Sequence, residues 1–374
     1  MEIQALRVNE RAAAVNRNIE RALNVAVRAF DRLRGRAAPY DDERYEFVGG
    51  AGDELRKKHY DKSLRLLWKA EHAAPWSTFR DCSSVELEVD DLACRGMTAE
   101  DRAVRERLSS AEFRALLDRS YTPAQKRAMV KILSAIGHGE AYAWLVSASL
   151  LPELKSTGGR AALTMQVLEE AKHFVVLREL VQAFGEPVPR QSAWEYSLLE
   201  GTLRARGVDK LFGMNILVET IALTIFGLLE PFPGMEILRL FHLDESRHTA
   251  LPGNYFKEFP MTKRQSGGAL GRIRRLLMAL PALPLVLCLE PELAELGIDA
   301  FDFAGSIMRK VSRLSVRGGF IDQRAADAQA AFFNGVFNGY CELTRPGHEF
   351  SDFMAAETTN GDATAAVERE VFAA

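Results

Sequence analysis

Cysteine is scarce: four residues in 374, at positions 82, 94, 288 and 341, with no pair at the spacing of a metal knuckle or a redox dithiol. That distribution excludes a thiolate metal site and a disulfide framework. With no signal peptide opening the chain, a reducing cytoplasm is the expected setting. A charge excess of either sign is also missing. The net charge is −3 and the pI about 6.2, so nothing points to nucleic acid. The apolar run from Leu276 to Leu289 is shorter than a membrane span and contains Pro281 and Pro284, so no membrane partner is expected. Strand patterning is nearly absent. Only Val85 to Val89 alternates apolar with acidic residues, and a lone strand has no evident partner.

What the chain does have is apolar periodicity at helical spacing. Hydrophobic residues make up 47%, enough for a sizeable core. Helices are expected at about 5–35, 53–74, 99–118, 123–152, 159–184, 193–230 with a break near Gly207, 234–251, 268–280, 291–314 and 320–344. Pro252 is expected to end the seventh of them. The expected organisation is an N-terminal helical extension (1–120), a metal-binding four-helix core (121–255) and a C-terminal helical extension with a polar tail (256–374).

Histidine is rare as well, at seven residues, and two of the seven carry a repeated pattern. Glu169-Glu170-Ala171-Lys172-His173 and Asp244-Glu245-Ser246-Arg247-His248 each read acid-acid-x-basic-His and each contain Glu-x-x-His. The chain has no other Glu-x-x-His. On a helix, residues i and i+3 share a face, so Glu170 with His173 and Glu245 with His248 can each grip a metal as a pair. Two such pairs joined by one Glu from each of two further helices make the carboxylate-bridged dimetal site of a four-helix bundle.

Glu140 and Glu219 are the expected lone acids. Each falls mid-helix inside an apolar run, where an unpaired carboxylate would be too costly to bury. Each also comes level with one Glu-x-x-His pair when its hairpin is closed at the turns after Leu151 and Glu230.

Those six residues resemble the ferritin-like di-iron carboxylate superfamily over about residues 125–255. Within it they are most similar to the ribonucleotide reductase small subunit, soluble acyl-carrier-protein desaturases and p-aminobenzoate N-oxygenase-type enzymes. The resemblance implies an all-α, ferritin-like four-helix bundle with additional N- and C-terminal helices. Glu140, Glu170 and His173 would serve one iron; Glu219, Glu245 and His248 would serve the other, with Glu170 and Glu245 as bridges. Glu169 and Asp244 would hold the opposite ligand His by its other ring nitrogen.

Four positions depart from the named families. Leu177 stands where the reductase has its radical Tyr, and Ala222 and Leu223 where desaturases place a Thr. Phe241 stands where the N-oxygenases add a His, with His242 beside it. His242 is read as a neighbour that supports the site, becoming a ligand only if its helix is distorted, for example by a π-bulge.

Helical spacing from the ligands places Gly137, Trp144, Gln166, Leu177, Ala222, Phe226 and Phe241 around a mostly apolar pocket. The expected cofactors are two Fe ions, with a Mn/Fe pair as the alternative, and O2 as co-substrate. The expected activity is oxidation of a small organic or carrier-bound substrate: hydroxylation, desaturation, N-oxygenation or oxidative C–C cleavage. An external electron donor, ferredoxin or a reductase, is expected, and the reading allows a homodimer. An iron-oxidising store is the rival. The basic groups Arg272, Arg274, Arg275 and Arg309, Lys310, Arg313, Arg317 form either a solvated face or a dock for an acidic carrier.

Overall fold

The computed structural model describes residues 3–33, 108, 110–154 and 157–345. Among them every regular element is helical. The elements are α1 (Glu10–Leu33), α2 (Ala111–Ser120), α3 (Pro123–Leu150), α4 (Thr157–Ala183), α5 (Ala193–Arg204), α6 (Gly207–Leu229), α7 (Leu238–Glu258) and α8 (Lys263–Ser266). They continue with α9 (Gly268–Ala279), α10 (Ala282–Cys288), α11 (Glu290–Glu295), α12 (Ala300–Arg317) and α13 (Gln323–Thr344). The expected helix at 53–74 and the alternating segment 85–89 lie outside the described residues, as does half of the expected helix at 99–118.

Helix starts are written locally. Thr122 caps α3 with Gln125 in a reciprocal box and Pro123 at the first turn, where its missing N–H is harmless. Ser192 and Glu195 form the same box at the start of α5. Two residues, Ala205 and Arg206, break the chain between α5 and α6, and Gly207 takes a positive φ of 54° there. That is the break expected near Gly207.

Two expected boundaries are wrong. Residues 291–314 do not form one helix. The chain turns between α11 and α12 at Gly297, whose φ is 76° and where the carbonyl of Gln4 occupies the space a Cβ would need. Pro252 does not end α7, which runs on to Glu258. The physical reason lies in the site and is given below.

Helices α3 and α4 pack along their length as a pair, and so do α6 and α7; α4 contacts α7, and α3 contacts α6. Around these four, α5 and α11 lie on α3, α12 lies on α6, and α1 packs on α5 and α10. One hydrophobic core, from Leu108 to Cys341, runs through the four helices and through α5, α10, α11 and α12. Helix α6 has the length and hydropathy of a membrane span, and 89% of that window is buried inside the protein. Its apolarity is used in the core.

Candidate metal centre

Helix α3 brings Glu140, α4 brings Glu170 and His173, α6 brings Glu219, and α7 brings Glu245 and His248 to one level of the core. All six are at most 3% exposed. They form two sets of four: Glu140, Glu170, His173 and Glu245, then Glu170, Glu219, Glu245 and His248. Within each set the candidate ligand atoms lie within 4.8 Å of one another, and Glu170 and Glu245 belong to both.

The imidazoles are oriented from outside. His173 presents Nδ1 to the carboxylates, 2.9 Å from Glu245 Oε1 and 3.4 Å from Glu140 Oε2, while its Nε2 donates to Asp244 Oδ2 at 3.1 Å. His248 presents Nδ1 to Glu245 Oε2 at 2.9 Å and Glu170 Oε1 at 3.2 Å, while its Nε2 donates to Glu169 Oε2 at 2.8 Å. The pairing is crossed. The acid preceding each Glu-x-x-His holds the histidine of the other, across the α4–α7 contact. Arg247 ties the two acids together by donating to Glu169 Oε1 at 2.8 Å and to Asp244. Fixing Nε2 as the protonated nitrogen leaves Nδ1 as the lone-pair donor toward a metal.

Charge is balanced inside the cluster. Burial pushes Glu140 and Glu219 well above the usual carboxyl range, and the neighbouring Glu170 and Glu245 add to it. Burial would also raise Glu170 and Glu245, but the imidazoles beside them hold both below the usual range. Burial would lower the two imidazoles. Asp244 and Glu140 outweigh it at His173, and Glu245 and Glu170 do so at His248, so both stand well above the usual value.

Even so, Glu140 Oε2, both Glu170 oxygens, His173 Nδ1 and Glu245 Oε1 are buried without hydrogen-bond geometry to any partner. Buried polar atoms in that number are costly unless something else coordinates them. Four carboxylates and two imidazoles converging at these distances fit a pair of hard-to-borderline divalent cations.

Two features of the surroundings were not expected. Residues Phe212–Val218 of α6 are π-helical, and the Glu219 N–H bonds to the carbonyl of Met214, five residues back. The π segment thus sits immediately before the candidate ligand Glu219, not in the helix of His242. It also turns Asn215 inward, where Nδ2 donates to Gln166 Oε1 at 2.8 Å and to the carbonyl of His248 at 2.9 Å. Gln166 Nε2 in turn donates to Glu219 Oε1 at 2.8 Å. His248 is four residues before Pro252, so its carbonyl is the acceptor that a proline cannot serve. Asn215 serves it, and α7 continues.

The expected pocket residues divide. Ala222 lines a cavity of about 610 Å³ that reaches Glu140 and Glu219. Gln166 is a hydrogen-bond partner of Glu219, and Phe241 stacks on the His173 ring at 4.2 Å with Phe226 edge-on at 6.3 Å. Leu177 and Gly137 are buried, and Gly139, two residues from Gly137, lines the cavity instead. Trp144 is 40% exposed and is no part of the lining. The cavity meets α3 along Ala135, Ile136, Gly139 and Ala143, all on one side of Glu140, whereas Trp144 sits about 40° round on the other side.

His242 is buried but belongs to neither set of four. Thr220 and Thr224 both donate to the carbonyl one turn back. Of the basic groups, Arg275, Arg309 and Lys310 are buried, so neither group forms a continuous exposed patch. Cys288 and Cys341 are buried free thiols, and burial pushes Cys288 up to about 12.

Compared with family models, with curated proteins and with solved structures, the chain matches none. The donor set and its geometry therefore carry the functional reading.

Proposed function

We propose that the chain is a ferritin-like non-haem di-iron oxidoreductase that uses O2 to oxidise an organic substrate, with α3, α4, α6 and α7 as the ligand helices. The observation that carries the reading is the pair of candidate ligand sets sharing Glu170 and Glu245, with an apolar cavity against their outer acids Glu140 and Glu219. When bound there, two iron ions would supply electrons to O2 and hold it beside the cavity. The chain does the rest. Its four carboxylates neutralise the metal charge, and Glu169 and Asp244 lock the imidazoles with Nδ1 facing inward. The apolar walls exclude water from the reacting position. An external ferredoxin or reductase would return the electrons.

A ferritin-like iron store needs an entry path for ions but no apolar chamber. Here Leu285, Val286 and Leu289 and Phe303 of the C-terminal helices close such a chamber over the ligand helices, which favours an enzyme. The test is anaerobic loading with ferrous iron followed by oxygen. The oxidase reading expects a bounded, stoichiometric oxygen uptake and a visible absorption that decays faster once substrate is added. Continued iron oxidation with accumulation of ferric mineral would favour the store. Metal analysis after growth in iron-rich and manganese-rich media separates Fe/Fe from Mn/Fe.

A further inference from the structure

A second cavity, about 750 Å³, adjoins the first. The two share Ile221 of α6 and Val286 of α10 as lining, so those two side chains stand between the apolar spaces. The ends differ in charge. The inner cavity is lined by the acids Glu140, Glu195 and Glu219, whereas Arg272 and Arg275 are the charged residues among the described lining of the outer one.

Arg275 is 2% exposed. It donates Nη1 to Asp209 Oδ1 at 2.7 Å and Nη2 to the carbonyl of Phe320 at 3.1 Å, but its Nε is buried with no acceptor. Arg272 reaches only the exposed Asp322, at 3.4 Å. A buried guanidinium N–H without an acceptor, at one end of an apolar space, asks for an oxygen from a ligand.

We propose that the two cavities form one binding channel for a free anionic amphiphile with a single unbranched apolar chain. Its acidic head is held by Arg275 and Arg272, and its tail passes between Ile221 and Val286 to end against Glu140 and Glu219. An acidic head that reaches the buried Nε of Arg275 has left the surface, which a small free acid does more readily than a carrier-bound group. The channel rests on the oxidase reading only for its purpose, since it places the far end of the tail at the metal ligands. As a binding site it stands independently.

The experiment is calorimetric titration of metal-free full-length protein with dodecanoate and with dodecanol. Dodecanoate should bind one per chain and about tenfold or more tighter than dodecanol, the gain of a charged hydrogen bond. Arg275→Gln, and the exposed and therefore fold-safe Arg272→Gln, should erase that preference by weakening dodecanoate far more than dodecanol. Ile221→Trp and Val286→Trp should shorten the longest carboxylate that binds. In Mn(II)-loaded protein the terminal-methyl carbon of bound dodecanoate should relax faster than its carboxyl carbon. Equal affinity for acid and alcohol, an unchanged chain-length limit in both Trp variants, or faster relaxation at the carboxyl end would each overturn the channel. Dodecanoate that binds as described but is never oxidised by the iron-loaded protein would defeat the oxidase reading and leave the channel standing.

Discussion

Asn215 Nδ2 lies 2.9 Å from the backbone carbonyl of His248, the acceptor that Pro252 leaves without its helical N–H. The same amide donates to Gln166, which donates to Glu219, so a proline in α7 is coupled to a candidate ligand on α6. Replacing Asn215 by Leu should destabilise the protein by about 2–3 kcal/mol, because buried acceptors on both His248 and Gln166 lose their donor. In a Pro252→Ala background the residue 252 N–H can serve His248, so the same Asn215→Leu change should cost about 1 kcal/mol less. Denaturant unfolding of the four proteins checks this; strictly additive effects would dissolve the coupling.

The crossed acids make a separate prediction. Asp244→Asn and Glu169→Gln remove the anion that orients one imidazole each, and each should lower metal affinity by about 10–100-fold with little loss of helix content. Arg247 is 41% exposed on its side chain and touches both acids, so Arg247→Gln should have a smaller effect in the same direction. Competitive metal titration against a chelator reads all three.

Gly139 lines the inner cavity, and a Cβ built there meets nothing within 4 Å. Gly139→Ala should therefore stabilise the protein by about 1 kcal/mol, the helix propensity gained without a clash. Gly139→Phe should keep the fold and both metals but block the cavity, abolishing substrate-accelerated oxygen chemistry. A thermal melt with a metal assay would reveal the contrary result, in which Phe unfolds the protein or leaves turnover intact.

The cluster also sets a pH dependence. Glu140 and Glu219 are raised above their ordinary 4.5, and His173 and His248 above their ordinary 6.5. Groups raised in the folded state contribute stability that is present at low pH and lost as the pH rises through the folded value. Glu170 and Glu245 are lowered, so their contribution is present above 4.5 and lost as the pH falls. Above 6.5 only the losses from the raised groups operate, and the metal-free protein should weaken steadily. Metal displaces those protons. The gain in Tm on metal binding should therefore be larger at about pH 8 than at about pH 6, and a gain that shrank with pH would refute the proton inventory.

Much of this site can be read in the amino-acid order because its parts are local. Glu-x-x-His puts two donors on one helical face whatever surrounds it, and the hairpin turns after Leu151 and Glu230 bring Glu140 and Glu219 level with the two pairs. Contacts between distant segments were not legible. Nothing near Pro252 announces that Asn215, 37 positions earlier, will serve the carbonyl it leaves bare. The π segment before Glu219 has no composition of its own, and it changes which side chains of α6 turn inward. Wheel geometry counted Trp144 as a neighbour of Glu140, but which side of Glu140 is hollow depends on α5 and α10. Gln166 is expected in a mostly apolar pocket and instead hydrogen-bonds Glu219, since polarity alone does not say which carboxylate an amide will reach.

The central claim is that four carboxylates and two imidazoles bind a pair of metals with Glu170 and Glu245 shared between them. A Mössbauer spectrum of protein loaded anaerobically with ⁵⁷Fe(II) and then oxidised, recorded beside a count of iron per chain, tests it most directly. The account predicts two irons per chain, magnetically coupled to a diamagnetic ferric ground state, and loss of the coupled pair in Glu245→Ala. One iron per chain, uncoupled ferric ions, or a Glu245→Ala protein that keeps both irons would contradict it.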